Sequence, residues 1–135
     1  MLKDYIQEKR QSKRYLCDEF FTHISLQISE KDMDMTAIDF SREGIGLFSS
    51  DTLPESGNAL LSLDYQSPPF NHTFSHLPCA IAHCNLTEVG SHCGVYFKLS
   101  DLSQADKAAL ESIESILIEN DDPDDRYHLF GDDER

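Results

Sequence analysis

Between His23 and Ser29 the apolar residues Ile24, Leu26 and Ile28 alternate with polar ones. This period of two is the pattern of a strand with one buried face, and it limits what the chain can build. Met33 to Phe40 reads as a second extended run. After Gly44, a third begins at Ile45 and ends near Ser49. Asp51 to Asn58, with Pro54 and Gly57, is a loop. Ala59 to Tyr65 forms a fourth strand, and Ser67-Pro68-Pro69 interrupts the chain again. A fifth runs from Phe74 to Cys84, weakened or bulged at Pro78, and Asn85 to Ser91 makes a connecting turn containing Gly90. In the sixth, Cys93, Val95, Phe97 and Leu99 share one face. Six short strands joined mostly by short turns predict a mainly β fold, an antiparallel barrel or sandwich. Ser103 then caps a helix, with Asp106 in capping-box position. Ala109, Ile113, Ile116 and Leu117 fall on one helical face that can cover an end or edge of the barrel.

At 135 residues there is room for one core. The chain divides into an arm (1–7), a domain (8–118) and an acidic tail (119–135), which holds eight acids and two arginines and is expected to be disordered. That tail, with Tyr127, Leu129 and Phe130, resembles a short docking segment, and equally a spare solubilising tail. The N-terminus MLKDYIQEKR carries charges where a signal peptide is apolar, so a cytoplasmic protein is expected. Cys17, Cys79, Cys84 and Cys93 are accordingly expected as reduced thiols. A net charge of −14 argues against general nucleic-acid binding. Residues 1–14, however, hold five bases and two acids. A small basic segment on an acidic body suits a compact anion better than a long polyanion, although charge alone favours a merely solvated N-terminal arm.

Two motifs carry the chemistry. Arg10-Gln11-Ser12-Lys13-Arg14 is an RxxxR, and Asp39-Phe40-Ser41-Arg42-Glu43-Gly44 is a DxSxxG that begins 25 residues after Arg14. Neither is informative alone. Guanidinium forks match phosphate oxygens and also pair with guanine O6 and N7. On a strand, Asp39 and Ser41 face one way, roughly 6.6 Å apart. They present a carboxylate that can accept guanine N1–H and N2–H₂, with a hydroxyl beside it. Gly44 allows a tight turn or close approach of a ligand. Together these residues suit a ligand with phosphates and guanines.

In that order, Arg10, Arg14, Asp39, Ser41 and Gly44 resemble the PilZ domain family. The likeness continues through Gly44-Ile45-Gly46-Leu47, Gly57 before Leu60-Leu61-Ser62-Leu63, and Gly94-Val95-Tyr96-Phe97, spanning about residues 8 to 118. The resemblance implies a six-stranded antiparallel PilZ-type β-barrel with a C-terminal helix, which binds cyclic di-GMP as a ligand, needs no cofactor, and acts through a protein partner rather than as an enzyme. It implies that Arg10 and Arg14 grip phosphates and guanine edges. Asp39 and Ser41 would recognise a guanine above Gly44, with Lys9, Lys13 and Arg42 as additional candidates. Lys9 occupies a position where the family varies, and the number of dinucleotides bound can vary with it. A mobile Arg10–Arg14 segment closing onto the barrel would be the switch, changing the surface shown to a partner.

Other readings compete. His76, Cys79, His83, Cys84, His92 and Cys93 crowd two neighbouring strands. A hairpin could set His83 opposite Cys93, or Cys84 opposite His92, and offer zinc ligands. No CxxC is present, and the phase of Cys93 makes it a core residue, so no metal site is expected. A cysteine hydrolase lacks a thiol in an activating setting. Tyr65, Phe70, Phe74 and Tyr96 could stack bases in an oligonucleotide-binding barrel, although core packing accounts for most of them. The main alternative is a protein–protein adaptor of the same fold that does not depend on cyclic di-GMP.

Overall fold

The alternating run at 23–29 lies in a strand whose Ile24 and Leu26 face the core. The computed structural model describes residues 13–120. Within them the chain forms β1 (Tyr15–Leu16), β2 (Phe21–Ile28), β3 (Lys31–Asp34), β4 (Thr36–Ser41), β5 (Gly44–Ser49), β6 (Gly57–Ser67), β7 (Phe70–Thr87) and β8 (Gly90–Phe97). A 3₁₀ turn (Leu99–Asp101) leads into α1 (Gln104–Asn120). All pairings are antiparallel, in the order β1-β4-β5-β8-β7-β6-β2-β3.

The expected six strands become eight for two reasons. β1 is a two-residue strand paired to β4, too short to leave a periodic signal. The run expected from Met33 to Phe40 divides at Met35, pairing with β2 before it and with β5 after it. The hydrogen-bonded ladder therefore does not close as a barrel; it is a sheet rolled around one core, with β1 and β3 as its edges. Across the seam the Met35 amide donates to the Ile24 carbonyl at 3.0 Å.

Inward-facing residues of every long strand, including Leu26, Phe40, Ile45, Leu61, Phe74 and Val95, share one apolar cluster. Tyr65 is fully buried against Phe21, ring centroids 4.7 Å apart, and its hydroxyl donates to Asp18 Oδ2 at 2.9 Å. Of the aromatics considered as stacking platforms, Tyr65 and Phe74 are spent in this core, Phe70 packs against it, and Tyr96 is half exposed.

α1 adds Ala109, Leu110, Ile113 and Leu117 to the same cluster, with Ile116 half-buried. The Asp106 amide donates to Ser103 Oγ at 3.1 Å, satisfying an otherwise orphaned helix-end donor. His72 Nε2 lies 2.9 Å from Asp106 Oδ1, tying β7 to the start of α1. Because the helix runs to Asn120, Glu119 and Asn120 belong to it and not to the acidic tail. The rest of that tail lies outside the described residues. No helix among the described residues is long and apolar enough to cross a membrane.

Two further expectations change. Pro78 does not bulge β7: it stays in register opposite Leu60, and its carbonyl accepts from the Lys98 amide at 3.0 Å. The irregularities fall between Phe74 and Leu77 on β7, opposite Leu61 and Leu63 of β6, and between Ile81 and His83 on β7. The cysteines are not all reduced, since Cys84 and Cys93 form a disulfide. The β7–β8 register places them directly opposite, Cα atoms 4.1 Å apart. The same register sets His83 opposite Gly94 and His92 opposite Asn85, so neither histidine faces a cysteine. Among the described residues no group of three or more potential metal ligands gathers. Cys17 and Cys79 remain free. Burial pushes the Cys79 thiol up to about 12, and burial together with Asp39 and Asp18 pushes Cys17 up further.

Candidate functional site

A bulge decides where Asp39 points. Ala37 pairs with Leu47 on the core side, and two residues later Asp39 should face inward as well. A register shift between them inserts Ile38 and turns Asp39 to the outer face, opposite Gly46. From there Asp39 Oδ1 accepts from Arg14 Nη1 at 3.2 Å, with the two side chains 32% and 20% exposed. Arg14 Nε is buried and has no hydrogen-bond partner among the described residues. An N–H in that position is costly unless something supplies an acceptor.

Glycines make this arrangement possible. A Cβ on Gly44 would fall 2.9 Å from Arg14 Nη2 and 2.5 Å from the Val95 carbonyl. Gly44 thus serves close approach, not a special turn conformation. A Cβ on Gly46 would fall 2.5 Å from Asp39 Oδ1. The guanidinium and the carboxylate therefore lie flat over bare backbone.

The sequence-based candidates separate into three groups. Arg14, Asp39 and Gly44 come together. Ser41 shares the face of Asp39 but is 2% exposed, and its Oγ accepts the Glu43 amide at 3.1 Å, bracing the turn. Arg42 is directed elsewhere: its Nε lies 4.0 Å from Glu114 Oε1, and its amide donates to Glu114 Oε2 at 3.1 Å. Lys13 sits over the Tyr15 ring, 5.3 Å from its centroid. Lys9 and Arg10 lie outside the described residues. Arg14 already rests on the sheet, so the part of the expected mobile segment that is described is docked.

Arg14, Asp39, Gly46, His83, His92 and Gly94 line a notch of about 80 Å³. A larger hollow of about 280 Å³ lies between the Arg42–Glu43 turn and α1, away from the Arg14–Asp39 pair. The notch holds the denser set of polar groups. Its histidine wall and glycine floor were not assigned from sequence, because the pairing of β5, β8 and β7 that assembles them leaves no local mark.

The sequence profile of the PilZ domain matches residues 8–114. Among solved structures, the chain is similar to the PilZ domain with c-di-GMP of YcgR from Escherichia coli. The TM-score is 0.61 at 13% identity, covering 83% of this chain and 93% of that one. No curated protein matches the sequence. With the profile covering most of its length, the chain belongs to the PilZ domain family.

Proposed function

We propose that the protein is a cytoplasmic receptor for cyclic di-GMP, without enzymatic activity, that passes ligand occupancy to a protein partner. The observation that carries this reading is the Arg14–Asp39 pair, laid over Gly44 and Gly46 with the Arg14 Nε–H unpartnered among the described residues. A cyclic dinucleotide offers what these groups lack. Its phosphate oxygens accept from the guanidinium, replacing Asp39 as partner. The released carboxylate then accepts guanine N1–H and N2–H₂. Ser41 keeps the turn in place, and Arg10 adds a second guanidinium from the N-terminal side. The ligand in the relative's structure is cyclic di-GMP, which supports the same class of ligand here.

The signal follows from this exchange. Ligand binding changes what Arg14 rests on, and so alters the surface beside β1 that a partner meets. Glu114 holds the neighbouring turn from α1, which links the site to the helix.

Calorimetric titration with cyclic di-GMP tests the reading, with GTP and cyclic di-AMP as controls. Hydrogen bonds to charged groups contribute ~1.5–3 kcal/mol each, so Arg14→Ala should weaken binding by roughly one to two decades. Its circular dichroism should match that of wild type. A wild-type protein that gives no saturable binding overturns the receptor assignment and leaves the ligand-independent adaptor.

A further inference from the structure

β7 carries a second bulge that mirrors the one on β4. Ile81 pairs with Val95 on the buried side, and regular alternation would turn His83 inward too. The register shift between Ile81 and His83 turns the histidine outward instead, opposite Gly94. Gly94 in turn pairs with Gly46, and Gly46 with Asp39. One row therefore crosses four strands: Asp39, Gly46, Gly94, His83. Its two ends are re-aimed by bulges, and its middle has no side chains.

Both ends lean over that middle. A Cβ on Gly94 would fall 2.5 Å from His83 Nε2, as one on Gly46 would from Asp39 Oδ1. Neighbouring strands are about 4.8 Å apart, so the carboxylate and the imidazole lie roughly one strand spacing from each other. His83 is exposed and has no hydrogen-bond partner among the described residues. Its ring lies close over the bare backbone of Gly94.

Guanine fits this spacing edge-on. Along one side of the base the donors N2–H₂ and N1–H are followed by the acceptors O6 and N7. A carboxylate that takes the two donors leaves the acceptors unmatched, and an N–H donor one strand further along meets them. Adenine reverses the pattern, placing a ring acceptor against the carboxylate and an amino donor against the histidine. The notch, about 80 Å³, admits the edge of a base and not a whole dinucleotide.

We propose that His83 is a specificity-determining ligand contact, donating an imidazole N–H to the O6/N7 side of the guanine whose N1 and N2 bind Asp39. This rests on the receptor reading above and adds a residue outside both sequence motifs. His92, on the adjoining row opposite Asn85, also lines the notch.

Calorimetry with cyclic di-GMP on wild type, His83→Ala, His83→Gln and Asp39→Ala tests it. Loss of one hydrogen bond between neutral groups predicts about five- to tenfold weaker binding for His83→Ala. His83→Gln, which keeps an N–H donor, should recover most of the loss. The preference over cyclic di-AMP should narrow in His83→Ala. His83→Ala binding like wild type while Asp39→Ala loses affinity overturns the His83 assignment alone and leaves the receptor reading standing. His83→Gln as weak as His83→Ala overturns the hydrogen-bond role. Wild type that fails to bind overturns both proposals together.

Discussion

Asp39 and Gly46 are two halves of one fitting. The carboxylate lies where a side chain on residue 46 would have to be, so the glycine is needed for what is above it. Gly46→Ala should therefore displace Asp39, break its contact with Arg14 and weaken cyclic di-GMP binding at least tenfold, as read by calorimetry. Thermal unfolding separates this from general damage. The Gly46→Ala melting point should fall, and adding Asp39→Ala should recover part of that fall, because the overlap then has no second party. At this scale the pairing of Arg14 with Asp39 was legible, since the two residues carry their chemistry in their identity and separation. His83 was visible only as a metal candidate. Its outward aim depends on one inserted residue in β7, and nothing in Ala80-Ile81-Ala82-His83 announces an insertion.

The elements followed their local signals where burial was one-sided. β2, β6 and β8 alternate because each has a core face and an outer face, and the capping of α1 came from a serine in the right place. Ser103→Ala should lower stability by about 1 kcal/mol, seen as a lower denaturation midpoint with an unchanged slope. The missed features share a cause. The chain from Lys31 to Ser41 stays extended throughout, so exchange of β2 for β5 as its partner leaves no trace in local periodicity. Leu110 is buried as well, because the apolar stripe of α1 is wider than the face formed by Ala109, Ile113, Ile116 and Leu117. Arg42 reads as a ligand residue from its place in the motif, yet Glu114, 72 positions later, draws it to the helix.

Over the whole molecule, buried ionisable groups set the response to alkali. The Cys79 thiol moves from its ordinary 9.0 up to about 12, chiefly through burial. Burial raises Cys17 and Tyr65 in the same direction, with Asp18 adding to both. The folded state therefore keeps protons that the unfolded chain gives up above pH 9. This contribution to stability is fully present below pH 9 and falls as pH rises towards 12. Chemical denaturation should give a lower unfolding free energy at pH 10.5 than at pH 8. Cys79→Ala should shrink that difference, and an unchanged difference would assign it to other groups.

Met35 is where this fold is fastened. It is 8% exposed, it bonds to Ile24, and on either side of it the chain belongs to opposite margins of the sheet. The wrapped shape is thus secured by two covalent stitches, Met35 between β3 and β4 and residues 17–20 between β1 and β2, as well as by side-chain packing. The strand that presents Asp39 is joined through Met35 to β3, on the far margin. The binding face and the remote edge are one piece of cloth, joined along the backbone and not only through the core.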